Sequence, residues 1–348
     1  MMRTVVLKCP PDDLEKAAQV LREGGLVAFP TETVYGLGAN ALDEKAVAKI
    51  FHAKGRPPDN PLIVHLASAE DLPQVVASIP PEAIVLASRF WPGPLTLVLP
   101  RKEEVPLITT GGLETVAVRV PDHPLALELI RRSGVPVAGP SANLSGRPSP
   151  TTAAHVLEDL GDKVDVIIDG GPTGLGVEST VLDLTTSPPV LLRPGGVTWE
   201  ALEEVLGKVI LDPAILAKEP IEEGPVRSPG MKYRHYAPKA KVYLVEGQDE
   251  ERIAARVDSL AAELAAAGLK VGVLATAEGA ARCGRGLVLI GGSRRDPAAL
   301  AASLFAHLRT FDRLDVDAVV VEGIKPVGLG LAVMNRLRKA AGYNIIEA

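Results

Sequence analysis

Between residues 209 and 239 the chain is interrupted by Asp212-Pro213, Glu219-Pro220, Gly224-Pro225, Ser228-Pro229-Gly230 and Ala237-Pro238, and no helical or strand period survives there for long. Each proline fixes its own φ, removes a backbone donor and biases the residue before it away from the helical region. No core element is expected across such a stretch, so the chain on either side must bury its own core. The composition predicts an extended linker, stiffened by its prolines. A length of 348 residues, about twice the usual domain size, fits the same division: domains at 1–208 and 240–348, with 209–239 between them.

The two flanks have different rhythms. Before the linker, short apolar runs bounded by turn formers predict strands at 26–29, 62–66, 95–99, 116–120, 135–138, 164–168 and 181–184. Apolar residues at helical spacing predict helices at 12–23, 43–53 and 123–133. This is the pattern of a mixed α/β domain. After the linker, near-continuous apolar strands at 241–245, 270–274, 287–290 and 318–321 alternate with Ala/Leu-rich helices at 249–267, 297–311 and 330–341. That alternation predicts a parallel sheet covered on both faces, a small Rossmann-like domain.

Composition excludes several classes. Hydrophobic residues at 47% and charged residues at 23% allow a true core in each domain. Lys and Arg number 37 against 43 Asp and Glu, so there is no bulk basic field for nucleic acid, and any RNA contact must be local. Cys9 and Cys283 are far apart with no partner at ligand spacing, which argues against a disulfide framework and a zinc site and favours a reducing cytoplasm. The first ten residues hold too short an apolar patch for a signal peptide. No run approaches eighteen apolar residues, so no membrane span is expected.

Chemistry-bearing residues concentrate in the first domain. Phe29-Pro30-Thr31-Glu32-Thr33-Val34-Tyr35-Gly36-Leu37-Gly38 leaves an apolar strand and reads as a loop carrying hydroxyls, a carboxylate and a phenol. Strand ends of this kind face the crevice where α/β sheets bind ligands. Lys54-Gly55-Arg56-Pro57-Pro58-Asp59-Asn60-Pro61 runs from a helix end through a proline-locked loop to a strand that ends near His65. Arg supplies a planar fork and Lys a point charge, the parts of a phosphate clamp. Solvated cations at a helix C-terminus are the plainer alternative. Gly139-Pro140-Ser141-Ala142-Asn143-Leu144-Ser145-Gly146, followed by Arg147-Pro148-Ser149-Pro150, is a Gly/Pro-shaped turn of short polar groups without the Gly-x-Ser-x-Gly spacing of a hydrolase elbow. Glu178-Ser179-Thr180 precedes a strand, and Leu192-Arg193-Pro194-Gly195-Gly196 follows the next. No P-loop pattern occurs. Gly328-Leu329-Gly330 opens the last helix, but Val333 occupies the position that would complete Gly-x-Gly-x-x-Gly, so these glycines read as helix–sheet packing.

In this order, Pro30-Thr31-Glu32-Thr33-Val34-Tyr35-Gly36-Leu37, Lys54-Gly55-Arg56-Pro57, Asn60-Pro61-Leu62, Gly139-Pro140-Ser141-Ala142-Asn143 and the linker Ser228-Pro229-Gly230-Met231-Lys232-Tyr233-Arg234-His235-Tyr236-Ala237-Pro238 resemble the threonylcarbamoyl-adenylate synthase family in its two-domain form. The resemblance covers nearly the whole chain and extends to Ala332-Val333-Met334-Asn335-Arg336. It implies a YrdC-like catalytic domain, a twisted open mixed α/β sheet, followed by the Rossmann-like domain. It also implies synthesis of L-threonylcarbamoyl-AMP from L-threonine, bicarbonate and ATP, with Mg²⁺ accompanying ATP, for t6A modification of tRNA by partner proteins.

Carried over by position, Thr33, His65, Arg119, Ser141 and Ser179 would hold threonine. Lys54, Arg56, Asn60, Thr115, Gly139, Ser149, Arg193 and Tyr236 would hold ATP, and Lys54, Arg56, Ser141 and Asn143 form the signature tetrad. The expectation is that these groups meet at one rim of the first sheet, with residues 228–238 as a lid. The rival readings are a carbamoyl-adenylate-forming carbamoyltransferase, whose usual acylphosphatase and zinc-finger modules are not seen here, and a non-catalytic double-stranded-RNA or ribosome-binding module.

Overall fold

A computed structural model describes residues 4–8, 11–219, 236–284 and 286–348. Cys9 and residues 228–235 of the expected lid lie outside the described residues. The chain divides into two compact units, the first holding residues up to 145 with 149–215, and the second 146–148, 216–219 and 236–348.

Among the described residues the first unit holds eleven strands: β1 (Val5–Leu7), β2 (Val27–Phe29), β3 (Gly36–Asn40), β4 (Ile63–His65), β5 (Leu95–Pro100), β6 (Thr115–Arg119), β7 (Val137–Ala138), β8 (Val166–Ile168), β9 (Thr180–Asp183), β10 (Val190–Arg193) and β11 (Ile210–Leu211). They form one mixed sheet in the order β1-β8-β2-β3-β7-β4-β6-β5-β9-β10-β11. Pairs β2/β3, β3/β7, β4/β7, β5/β6 and β9/β10 are antiparallel, and others such as β4/β6 and β5/β9 are parallel. Each predicted strand is present. One face of the sheet packs Leu14, Ala17, Ala18 and Leu21 of the helix Pro11–Arg22 and Leu129 and Ile130 of the helix Pro124–Ser133 over Val27, Phe29 and Val166. These are the apolar stripes visible in sequence.

One expectation fails here. The segment after Phe29, read as a loop through Gly38, turns back at Gly36 into strand β3, paired with β2 through Phe29↔Gly36 and Val27↔Gly38. Glycine is a poor strand former, but this strand has no room for anything larger. A Cβ at Gly38 would lie 2.8 Å from Val137 Cγ1 and 2.9 Å from Phe29 Cε1, and one at Gly36 3.0 Å from Phe29 Cζ. Close approach of neighbouring side chains selects Gly, and tertiary packing overrides propensity. Similarly, Leu192 and Arg193 belong to β10 instead of following it.

The second unit is a five-stranded sheet of β12 (Lys241–Glu246), β13 (Val271–Thr276), β14 (Leu287–Gly292), β15 (Ala318–Glu322) and β16 (Ile345–Glu347). Its order is β14-β13-β15-β12-β16, with every pairing parallel. Val245, Val271, Val273, Ala275 and Val320 pack beneath Ile253, Val257, Leu260 and Ala261 of the helix Glu250–Ala266. Leu274 and Val321, at alternate positions, face Leu300, Leu304, Val333 and Leu337 from the helices Pro297–Arg313 and Leu329–Ala340. Both faces are therefore covered, as a parallel sheet requires. The edge strand β16 is short and half-exposed, which leaves no apolar run in sequence. The close approach at Gly330 is to Lys325 O, 2.3 Å from a would-be Cβ, so this glycine fits the preceding turn and not the sheet.

Candidate active site

The helix Glu44–Lys54 delivers the first group. Asp43 caps its N-terminus, its carboxylate accepting from Lys45 N at 2.9 Å and Ala46 N at 3.2 Å. Gly55 ends it at φ 61°, a left-handed conformation that a Cβ would oppose. Lys54 thus occupies the last turn, where a solvated side chain is the plain expectation, yet only 3% of it is exposed. Its ammonium donates to Asn143 O at 2.6 Å and, by a shorter bond, to Ser141 O. Ser141 Oγ in turn donates to Asn143 Oδ1 at 2.5 Å. Strand β3 and the residue before it also hold this turn, through Leu37 N to Pro140 O at 2.8 Å and Ala142 N to Tyr35 O at 2.8 Å. Arg56 Nη2 folds back onto Asn60 O at 3.2 Å and Pro61 O at 3.1 Å, so the cation that follows Gly55 is held over its own loop. Asn60 is buried with its Oδ1 unpartnered.

A second group forms around two buried arginines. Arg119, the last residue of β6, donates from Nη1 to Thr33 Oγ1 at 3.0 Å and from Nε to Gly93 O at 3.1 Å. Arg193 donates from Nε to Ser179 O at 2.9 Å and from Nη2 to Ser179 Oγ at 3.1 Å, while Ser179 Oγ also pairs with Thr96 Oγ1 at 2.8 Å. Taken alone in sequence, Arg193 resembles a solvent cation, but it is 4% exposed. Ser149 Oγ donates to Glu178 Oε1, one residue before Ser179.

His65 lies opposite Arg119 in the β4/β6 register, with its ring edge-on to Phe29 at 5.7 Å. Burial first, then the charge of Arg119, pushes its pKa down to about 3, so the imidazole is neutral near pH 7. Its Nδ1 has no hydrogen-bond partner. Gly139 is next to it, a Cβ there falling 3.3 Å from His65 Nδ1, and its N–H donates to Ile63 O at 2.8 Å.

The structure separates some of the expected partners along β4 and β6. Asn60 and Thr115 stand at the leading ends of β4 and β6, whereas His65 and Arg119 close the same strands. Since side chains alternate along a strand, Thr115, Ala117 and Arg119 share a face with Ile63 and His65 through the register Ile63↔Ala117 and His65↔Arg119. His65 and Arg119 thus lie side by side on that face, while Asn60 and Thr115 lie toward the other end of the two strands. Tyr236 belongs to the second unit, at φ 65°, with its ring stacked on Phe305 at 5.2 Å and the Arg336 guanidinium 5.6 Å from its centroid.

Sequence reasoning gave no role to Thr31, Thr96 or Glu32. Thr31 Oγ1 accepts from Thr33 N and Val34 N at 3.1 and 3.2 Å and so shapes the turn that aims Thr33. Thr96 hides inside an apolar strand and leaves no signal. Glu32 approaches Arg119, Oε2 to Nη2 at 2.5 Å, yet neither of its carboxylate oxygens has a hydrogen-bond partner.

Comparison with known proteins bears directly on this arrangement. Residues 19–195 match a family model described as Telomere recombination, and residues 197–342 match one described as Threonylcarbamoyl-AMP synthase, C-terminal domain. Threonylcarbamoyl-AMP synthase of Pyrococcus abyssi is 55% identical over 331 residues, covering 95% of this chain and 94% of its own. The chain belongs to the threonylcarbamoyl-AMP synthase family. The Bacillus subtilis synthase is 51% identical over 336 residues, covering 96% of this chain and 94% of its own. A crystal structure of Pyrococcus abyssi Sua5 complexed with L-threonine shares the fold at a TM-score of 0.92 and 52% identity, over 100% of this chain and 99% of that one. This threonylcarbamoyl-AMP synthase family member is an enzyme, and its second sheet corresponds to the family's C-terminal domain.

Proposed function

We propose that the first unit joins L-threonine, bicarbonate and ATP into L-threonylcarbamoyl-AMP with release of pyrophosphate, and that the product serves t6A modification of tRNA through partner proteins in the cytoplasm. The neutral α-amine attacks carbon dioxide or bicarbonate to give a carbamate, and a carbamate oxygen then displaces pyrophosphate from the α-phosphorus. Neither step needs a protein nucleophile. What the reaction needs is alignment, exclusion of water from a labile carbamate and cationic groups at the phosphates.

The observation that carries this reading is the Lys54 ammonium bonded to the Ser141 and Asn143 carbonyls, with Ser141 and Asn143 bonded to each other. It ties the signature tetrad's helix to its turn. In this reading Lys54, Arg56 and Arg193 take phosphate oxygens, and Asn60, Thr115, Gly139 and Ser149 take the rest of the nucleotide. Thr33, His65, Arg119, Ser141 and Ser179 take threonine, with neutral His65 suited to a hydroxyl and Arg119 to a carboxylate.

Mg²⁺ is proposed to arrive on ATP. Among the described residues no group of three or more His, Cys, Asp or Glu is placed to hold a metal ion, and three of the proposed nucleotide-binding side chains, Lys54, Arg56 and Arg193, are cations suited to phosphate oxygens. Carried in this way, the ion would offset charge on the leaving pyrophosphate. No helix among the described residues is long and apolar enough to cross a membrane.

Release of pyrophosphate from ATP that depends on both threonine and bicarbonate tests the reading. Release driven by carbamoyl phosphate in place of threonine would support the carbamoyltransferase instead.

A further inference from the structure

Glu32 lies between two threonines in a turn with little freedom. Thr31 Oγ1 accepts from Thr33 N and Val34 N, the Glu32 carbonyl accepts from Leu175 N at 2.7 Å, and the Thr33 carbonyl accepts from Gly176 N at 3.0 Å. The backbone therefore fixes the point from which the side chain leaves, and the carboxylate lies against Arg119. Its side chain is 17% exposed, but both oxygens are shielded from solvent and neither accepts a hydrogen bond. Arg119 Nη2, 2.5 Å from Oε2, is also without a hydrogen-bond partner, so the two charges neutralise each other without aligned donors. A shielded carboxylate without aligned donors is costly, and the N–H groups of a ligand can offset that cost.

From this geometry we infer that Glu32 receives the α-ammonium of the substrate amino acid. A free amino acid is a zwitterion, and the Arg119–Glu32 pair presents one charge of each sign. The ligand carboxylate is attracted by the guanidinium and repelled by Glu32, while an ammonium supplies the N–H donors that both carboxylate oxygens lack. The seated ligand then adds no net charge to a buried site. Glu32 thereby orients the nitrogen that must react and discriminates against acids lacking it.

This inference rests on threonine being the substrate. The test compares equilibrium binding of L-threonine and of 3-hydroxybutyrate, which keeps the hydroxyl, methyl and carboxylate but has no amine, to wild type and Glu32→Gln. The variant should bind threonine about 10- to 100-fold more weakly and hold 3-hydroxybutyrate within about threefold of wild type. Glu32→Asp, which keeps the charge on a shorter stem, should fall between them and serves if the glutamine variant does not fold. Equal weakening of both ligands, or unchanged threonine binding, overturns the inference and leaves Glu32 as a support for Arg119. A wild type that binds no threonine overturns the substrate assignment as well.

Discussion

Lys54 Nζ lies 2.6 Å from the carbonyl oxygen of Asn143, joining the end of one helix to a turn 89 positions later in the chain. A second bond from the same ammonium to Ser141 O locks that turn from beneath. Lys54→Met removes both donors and leaves shielded carbonyls, so denaturant unfolding should show a loss of about 1.5–3 kcal/mol, together with loss of pyrophosphate release. Lys54→Arg should not restore either, because a planar guanidinium does not fit the space of a compact ammonium that is only 3% exposed.

Arg56 differs in being half-buried and in bonding to the carbonyls of its own loop at Asn60 and Pro61. Arg56→Ala should fold, with a stability change of about 1 kcal/mol, and slow threonine-dependent pyrophosphate release by about 10- to 100-fold or more, the effect of one charge-assisted bond to phosphate. A variant with normal turnover would remove Arg56 from the nucleotide site.

His65 predicts a pH dependence of stability. Its pKa is about 3 in the folded chain against 6.5 for the free side chain. Between those values the unfolded chain binds a proton that the folded one does not, so stability present above about pH 6.5 is lost as pH falls toward 3, by up to about 1.4 kcal/mol per unit. His65→Asn should flatten that part of the profile. Parallel curves for wild type and variant between pH 6.5 and 4 would show that the ring is protonated at no cost.

Gly195 has an ordinary φ but no space. A Cβ there would lie 2.2 Å from Thr180 N, 2.4 Å from Ser179 C and 2.6 Å from Glu178 O, all backbone atoms. Gly195→Ala should lower stability by about 1–3 kcal/mol and, by displacing Ser179, raise the KM for threonine more than that for ATP. Thermal melting and steady-state kinetics separate the two effects.

Selectivity for the amino acid follows from which of its groups are paired. Serine, lacking only a methyl, should be the nearest competitor at about 10- to 200-fold lower kcat/KM, whereas 2-aminobutyrate, lacking the hydroxyl, should be rejected by about 10⁴-fold. Near-equal use of 2-aminobutyrate would mean that the hydroxyl is not read by a buried polar group.

Much of this molecule is legible from local pattern. Alternating apolar runs and Ala/Leu helices after residue 240 yield an all-parallel sheet, because near-continuous apolar strands need cover on both faces. Asp43 and Gly55 mark the two ends of one helix by cap chemistry alone, and so place Lys54 in its last turn. The types of the reactive residues, and their order, are also readable.

Burial and partnership are not. Sequence cannot tell that Lys54 and Arg193 are shielded, that β3 is a strand despite its glycines, or that Glu32 points at Arg119 across 87 positions, since each depends on atoms brought near by the sheet order. Propensity and spacing are properties of neighbours along the chain and fix which segments become strands and helices. Desolvation, steric room and charge pairing act through space, so only the assembled sheet decides that Lys54, Ser141 and Asn143 meet, that His65 lies beside Arg119, and that its ring stays neutral.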